Sequence, residues 1–122
     1  MARVRVVLVE DNQMFRQTLA DLLALDAAIE VVASVANGRE AVEVCGRLRP
    51  DVAVVDYRMP GLNGAEATVG VREASPETRV VCLTASVSRS ELDEILAAGA
   101  VRCVMKDEGL AGIVEAIYAA AA

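Results

Sequence analysis

A doubly wound α/β domain, a five-stranded parallel sheet with five helices over its two faces, is the fold class this sequence predicts. Three observations carry that expectation. Five short β-branched runs occur, at Arg3–Val9, Val31–Val35, Val52–Val55, Arg79–Leu83 and Val101–Met105. Each is followed by a segment whose apolar residues recur at helical spacing. The runs are also about as apolar on one face as on the other, which suits parallel strands covered by helices on both sides.

After the first strand, Phe15, Leu19, Leu22 and Leu23 fall on one helical face. After the second, Ala41, Val42, Cys45 and Leu48 do the same before Pro50 stops the helix. The third helix, around Ala65 to Ala74, has a weaker pattern and contains Gly70, which costs about 1 kcal/mol relative to alanine in a helix. The fourth opens on Ser88-Arg-Ser-Glu91, a capping box. It runs through Leu92, Ile95 and Leu96 to Gly99, a good residue just past a helix end. The last shows Leu110, Ile113, Val114 and Ile117, with the chain expected to trail off over Ala119–Ala122. Alternating strand and helix implies right-handed crossovers, so all strand C-terminal ends share one edge, where open α/β sheets bind ligands.

With 122 residues the chain is expected to be one domain, 1–122, with no second domain. At 55% apolar residues it should fold. No run approaches the roughly 18 apolar residues of a membrane span, and the start lacks the pattern of a signal peptide, so a cytoplasmic protein without membrane contact is expected. A formal charge of −6 argues against this segment gripping nucleic acid. Three cysteines lack a C-x-x-C spacing and read as small hydrophobes. The absence of histidine excludes Ser-His and Cys-His catalytic pairs and histidine metal sites.

The strand ends bring chemistry to the shared edge. The first ends in Glu10-Asp11, the third in Asp56, the fourth in Thr84 and the fifth in Lys106, whereas Ala36-Asn37-Gly38 after the second reads as a turn. Two like charges about 4 Å apart repel by roughly 4 kcal/mol at an effective dielectric of about 20, so three gathered acids need a positive partner. Carboxylate oxygens alone suit a hard cation such as Mg²⁺. With that ion and Lys106 nearby, Asp56 could take a phosphoryl group as an acyl phosphate. Thr84 could donate a hydrogen bond to it, and Lys106 could supply a point positive charge. Singly, each residue has a bland reading: Glu10-Asp11 as a cap favoured by the helix dipole, Asp56 as a strand-end acid, Thr84 as a turn residue, Lys106 as a solvated lysine. Their conjunction, one group at the end of each appropriate strand, favours the chemical reading.

The chain resembles the phosphoacceptor receiver domain of bacterial two-component response regulators over essentially its whole length. The resemblance is carried by "VLVEDNQMFRQTL", "DVAVVDYRMPGLNG", "VVCLTA" and "GAVRCVMKD". Asn12, Phe15, Arg16 and the Lys106-Asp107 pair are most similar to the NarL/FixJ-type branch, that of the LuxR-family regulators. The resemblance implies a flavodoxin-like fold with strand order 2-1-3-4-5. It implies Asp56 as phosphoacceptor, Thr84 as the switch hydroxyl and Lys106 as the phosphate-facing lysine. It also implies Mg²⁺ on Glu10, Asp11, Asp56 and the backbone carbonyl of Arg58. A sensor histidine kinase is the implied donor, homodimerisation on phosphorylation the implied response, and DNA binding would belong to a C-terminal helix-turn-helix outside this chain. Such a domain is no turnover enzyme beyond self-catalysed phosphotransfer and dephosphorylation.

Three positions depart from the family's pattern. Glu10 stands where many relatives have aspartate, and Arg58 places a long cation beside the acceptor, able to shield the acyl phosphate or position its attacking water. Cys103 stands where an aromatic is usual, which implies a switch routed through Ala85–Val87 and the fourth helix. Two alternatives stand beside the receiver: a haloacid-dehalogenase-type aspartyl-phosphate phosphatase, whose second acid would fall on Arg58, and a degenerate scaffold that takes no phosphate.

Overall fold

The computed structural model describes residues 2–122. Strands β1 (Val4–Val9), β2 (Ile29–Val35), β3 (Val52–Asp56), β4 (Arg79–Thr84) and β5 (Arg102–Met105) alternate with helices α1 (Gln13–Leu23), α2 (Gly38–Leu48), α3 (Gly64–Ala74), α4 (Arg89–Ala97) and α5 (Gly109–Ala121). The sheet order is β2-β1-β3-β4-β5, with parallel pairing throughout. Both agree with the expected fold class.

Side chains alternate across a strand, and the core divides accordingly. Val7, Val9, Ala53, Val55, Val80 and Cys82 face one side, with α2, α3 and Ile95 of α4. Val6, Leu8, Val52, Val54, Val81, Leu83 and Val104 face the other, against α1 and α5. Val6 through Val9 are essentially inaccessible, so β1 is sealed on both faces. Burying each such side chain contributes roughly 1.5–3 kcal/mol.

Strand limits shift slightly from the sequence reading. β2 begins at Ile29, which is buried and pairs with Val4, although the acidic Glu30 interrupts the apolar run. Asp56 and Thr84 are themselves the last residues of β3 and β4. α5 continues to Ala121, because alanine is the best helix former and the terminal alanines extend it. Leu22, Leu96 and Leu110, read as core stripe, are 39%, 46% and 37% exposed, because each lies at the margin of its helix's buried face.

The helix starts are more regular than the sequence suggested. Asn12, Asn37, Asn63 and Ser88 each accept the amide three residues on, at 2.9, 2.9, 2.9 and 3.1 Å. Asn37 is thus a cap rather than only a turn residue. Ser88 and Glu91 form the expected capping box, and Asn63 and Glu66 form a second one. Gly99 has φ 109°, consistent with its place past α4. Gly70 has a packing reason beyond its helix cost: a Cβ there would lie 2.6 Å from Cγ2 of Val42 on α2. Cys45 and Cys82 are buried, and burial pushes the Cys45 thiol up to about 11. Cys103 is only half-buried and lies opposite Cys82 in the β4–β5 register. No described helix is long and apolar enough to cross a membrane.

Candidate functional site

Three carboxylates converge beyond the strand ends. Ligand oxygens of Glu10, Asp11 and Asp56 all lie within 4.8 Å of one another. Glu10 and Asp56 are only 4% and 5% exposed, whereas Asp11 faces solvent. β1 and β3 are adjacent, so their last residues must emerge side by side. Capping does not account for the acids, since Asn12 caps α1. Glu10 instead anchors the loop: its Oε2 accepts from the Asn12 amide at 3.0 Å, and its carbonyl accepts from Arg16 Nη1 at 2.7 Å.

Lys106 supplies the positive partner. Its Nζ donates to Glu10 Oε1 at 2.7 Å and lies 3.7 Å from Asp56 Oδ1. The ammonium also stands 4.3 Å from the centre of the Phe15 ring, a cation–π contact that roofs it. Burial works against its charge, but the hydrogen bond to Glu10 and the Asp56 charge outweigh that and hold Lys106 above its usual range. Burial pushes the Asp56 carboxyl up to about 7, reinforced by Glu10 and Asp11 and opposed by Lys106. One ammonium among three acids leaves an excess of negative charge, and an all-oxygen donor set suits a hard divalent cation.

Thr84 ends the strand next to β3, one residue past Leu83, which pairs with Asp56. Thr84 is fully buried, and its hydroxyl donates to the Ser86 carbonyl at 2.8 Å. Arg58 does not shield Asp56 here. Its guanidinium donates to both oxygens of Glu91, at 3.1 and 2.9 Å, and lies 5.5 Å from the centre of the Tyr57 ring.

Gly64 permits the loop after Asp56 to close tightly. Its amide donates to the Tyr57 carbonyl at 2.8 Å. A Cβ at Gly64 would lie 2.6 Å from Tyr57 Cα and 2.7 Å from the Asp56 carbonyl oxygen. Of the expected site residues, the structure brings Glu10, Asp11, Asp56 and Lys106 together, with Thr84 beside them and the Arg58 side chain turned outward. The sequence reading left out Phe15 as a roof, Gly64 as a close approach and Glu91 as a partner of Arg58. Only the glycine of "GLNG" had a local signal.

A family model described as response regulator receiver domain matches residues 6–118. The transcriptional regulatory protein DegU of Brevibacillus brevis is 31% identical over 115 residues, covering 94% of this chain and 49% of the relative. The transcriptional regulatory protein LnrK of Bacillus subtilis (strain 168) is 33% identical over 114 residues, covering 93% and 52%. The chain thus spans about half the length of these curated relatives. The solved signal receiver domain of NarL from Mycobacterium tuberculosis superposes with a TM-score of 0.93 at 34% identity, covering 99% of this chain and 98% of that one.

Proposed function

The chain belongs to the response regulator receiver domain family of two-component signalling, and from that premise we propose that Asp56 is its phosphoacceptor. The observation that carries this is the buried Asp56 carboxylate, set between two further acids and the Lys106 ammonium 3.7 Å away. Family membership sets aside the phosphatase alternative.

In this reading an Asp56 oxygen attacks the phosphorus of a sensor kinase's phosphohistidine. An O–P bond forms as the N–P bond breaks, and the imidazole leaves with the bonding electron pair. The donor is another molecule, since the chain contains no histidine. Lys106 faces the phosphoryl oxygens as a point charge, and Thr84 turns its hydroxyl from Ser86 to one of them. Glu10, Asp11, Asp56 and the Arg58 carbonyl would hold magnesium, which would supply charge neutralisation at the phosphoryl oxygens. The carboxylate donor set and its surplus negative charge fit that ion.

The domain works as a cytoplasmic switch rather than a turnover enzyme, a single domain over 1–122. Its output passes through homodimerisation and, in a longer regulator, through a helix-turn-helix that binds DNA. Incubation with acetyl phosphate and magnesium should add one phosphoryl mass to the intact protein. The adduct should be lost when magnesium is chelated and in Asp56→Ala. Equal labelling of Asp56→Ala would refute the assignment, and an unlabelled wild type would favour the degenerate scaffold.

A further inference from the structure

Helix α4 contributes one buried side chain, Ile95, to the core, whereas α2 and α3 contribute four and five residues. Its N-terminal half is held by the loop that follows Asp56. Arg58 grips Glu91 with a two-pronged contact at 3.1 and 2.9 Å. Its Nη2 also donates at 3.3 Å to the carbonyl of Ser86, the same oxygen that accepts the Thr84 hydroxyl at 2.8 Å. One turn along, Glu94 Oε1 accepts from Tyr57 Oη and Asn63 Nδ2, both at 3.4 Å. Tyr57, Arg58, Met59, Asn63 and Glu91 border an open cleft of about 430 Å³ beside the loop, which leaves the guanidinium room to swing.

We propose that Arg58 is a positioning residue that couples Asp56 to α4: its guanidinium clamps Glu91 and Ser86 while Asp56 is a bare carboxylate, and moves to the phosphoryl oxygens once Asp56 is phosphorylated. The inference rests on Asp56 being the phosphoacceptor. A phosphoryl group carries roughly −1.5 to −2 charges and three acceptor oxygens. The arginine fork matches that geometry in two-pronged fashion. Against it stands an ion pair whose side chains are 51% and 24% exposed, and pairs this wet are weak. Thr84 and Arg58 share the Ser86 carbonyl, so drawing both toward Asp56 strips that oxygen of two donors at once. The loop Ala85–Val87 and the first turn of α4 then lose their tie to the site. Phosphorylation shifts the balance because Arg58 binds the two states of Asp56 unequally.

Hydrogen exchange across residues 85–92, read by mass spectrometry in parallel with intact mass, tests this. Glu91→Gln is the informative variant, because glutamine still closes the capping box with Ser88 while losing the charge. In unphosphorylated protein, Arg58→Ala and Glu91→Gln should each exchange about threefold to fivefold faster than wild type in this segment. Arg58→Lys, which keeps the charge but not the two-pronged fork, should fall between wild type and Arg58→Ala. Acetyl phosphate with magnesium should accelerate the wild type most and Arg58→Lys less, and should add little in Arg58→Ala and Glu91→Gln. Wild-type exchange in both of those variants, or an equal phosphorylation response in them, would overturn the proposal. A phosphoryl adduct with unchanged exchange would overturn the coupling alone. Absence of the adduct in wild type would overturn the phosphoacceptor reading, and the coupling with it.

Discussion

Asp56 is held in a position that disfavours its own charge. Burial beside Glu10 and Asp11 raises its pKa from an ordinary carboxylate value to about 7. An acid with a folded pKa above its unfolded one takes up a proton on folding between the two values. Stability therefore falls as pH rises from about 4 to about 7, and the full penalty persists above that. In chelator, Asp56→Asn should melt a few degrees above wild type at pH 8, with the advantage vanishing near pH 4. Lys106 keeps its 2.7 Å contact with Glu10 in the variant, so the ammonium is not stranded. Thermal melts across that pH range check this, and equal melting temperatures at pH 8 would contradict it.

The loop between β3 and α3 illustrates how an element boundary is set by contact rather than propensity. Gly64 is the first residue of α3, and a methyl group there would press on backbone atoms of Asp56 and Tyr57, which cannot rotate away. Alanine is ordinarily the better helix former, by about 1 kcal/mol in a helix interior. Overpacking against rigid backbone costs typically 1–3 kcal/mol. Gly64→Ala should therefore destabilise the domain in urea and slow phosphoryl labelling of Asp56, because the carboxylate is displaced with its loop. Unchanged stability and labelling would show that the loop yields without consequence.

At the scale of the whole molecule, an apolar groove lies at the surface between α1 and α5. It holds about 140 Å³ and is bordered by Phe15, Leu19, Leu22, Leu110 and Ile113. Ile113 and Ile117 are buried in the core, whereas Leu110 is the more exposed end of that stripe. Phosphorylation is expected to change self-association through this α1–α5 face or through the face of α4, β5 and α5. Sedimentation with and without beryllofluoride should show a shift toward dimer. Loss of the shift in Leu22→Glu would assign it to the α1–α5 face, and retention would assign it to the other. Identical profiles at high concentration would count against dimerisation by either.

Local periodicity alone determined the alternation of strands and helices and the sealing of β1 on both sides, because Val6–Leu8 and Val7–Val9 are sorted by side-chain direction within one strand. The rim of Glu10, Asp11, Asp56, Thr84 and Lys106 was also legible, since parallel strands must release their last residues at one edge. Similarly, the Ser88–Glu91 box is a relation between near neighbours. The tertiary structure decided what depends on distance between remote segments. It set Phe15 over Lys106, turned Arg58 toward Glu91 rather than Asp56, and left Leu22, Leu96 and Leu110 at the margins of their buried faces. It also set Gly70 of α3 so near Val42 that a Cβ there would be crowded, a reason for glycine that helix propensity does not contain. A long side chain has several partners within reach, and a helix stripe has a width that spacing does not define. Which partner wins is settled only when the elements pack.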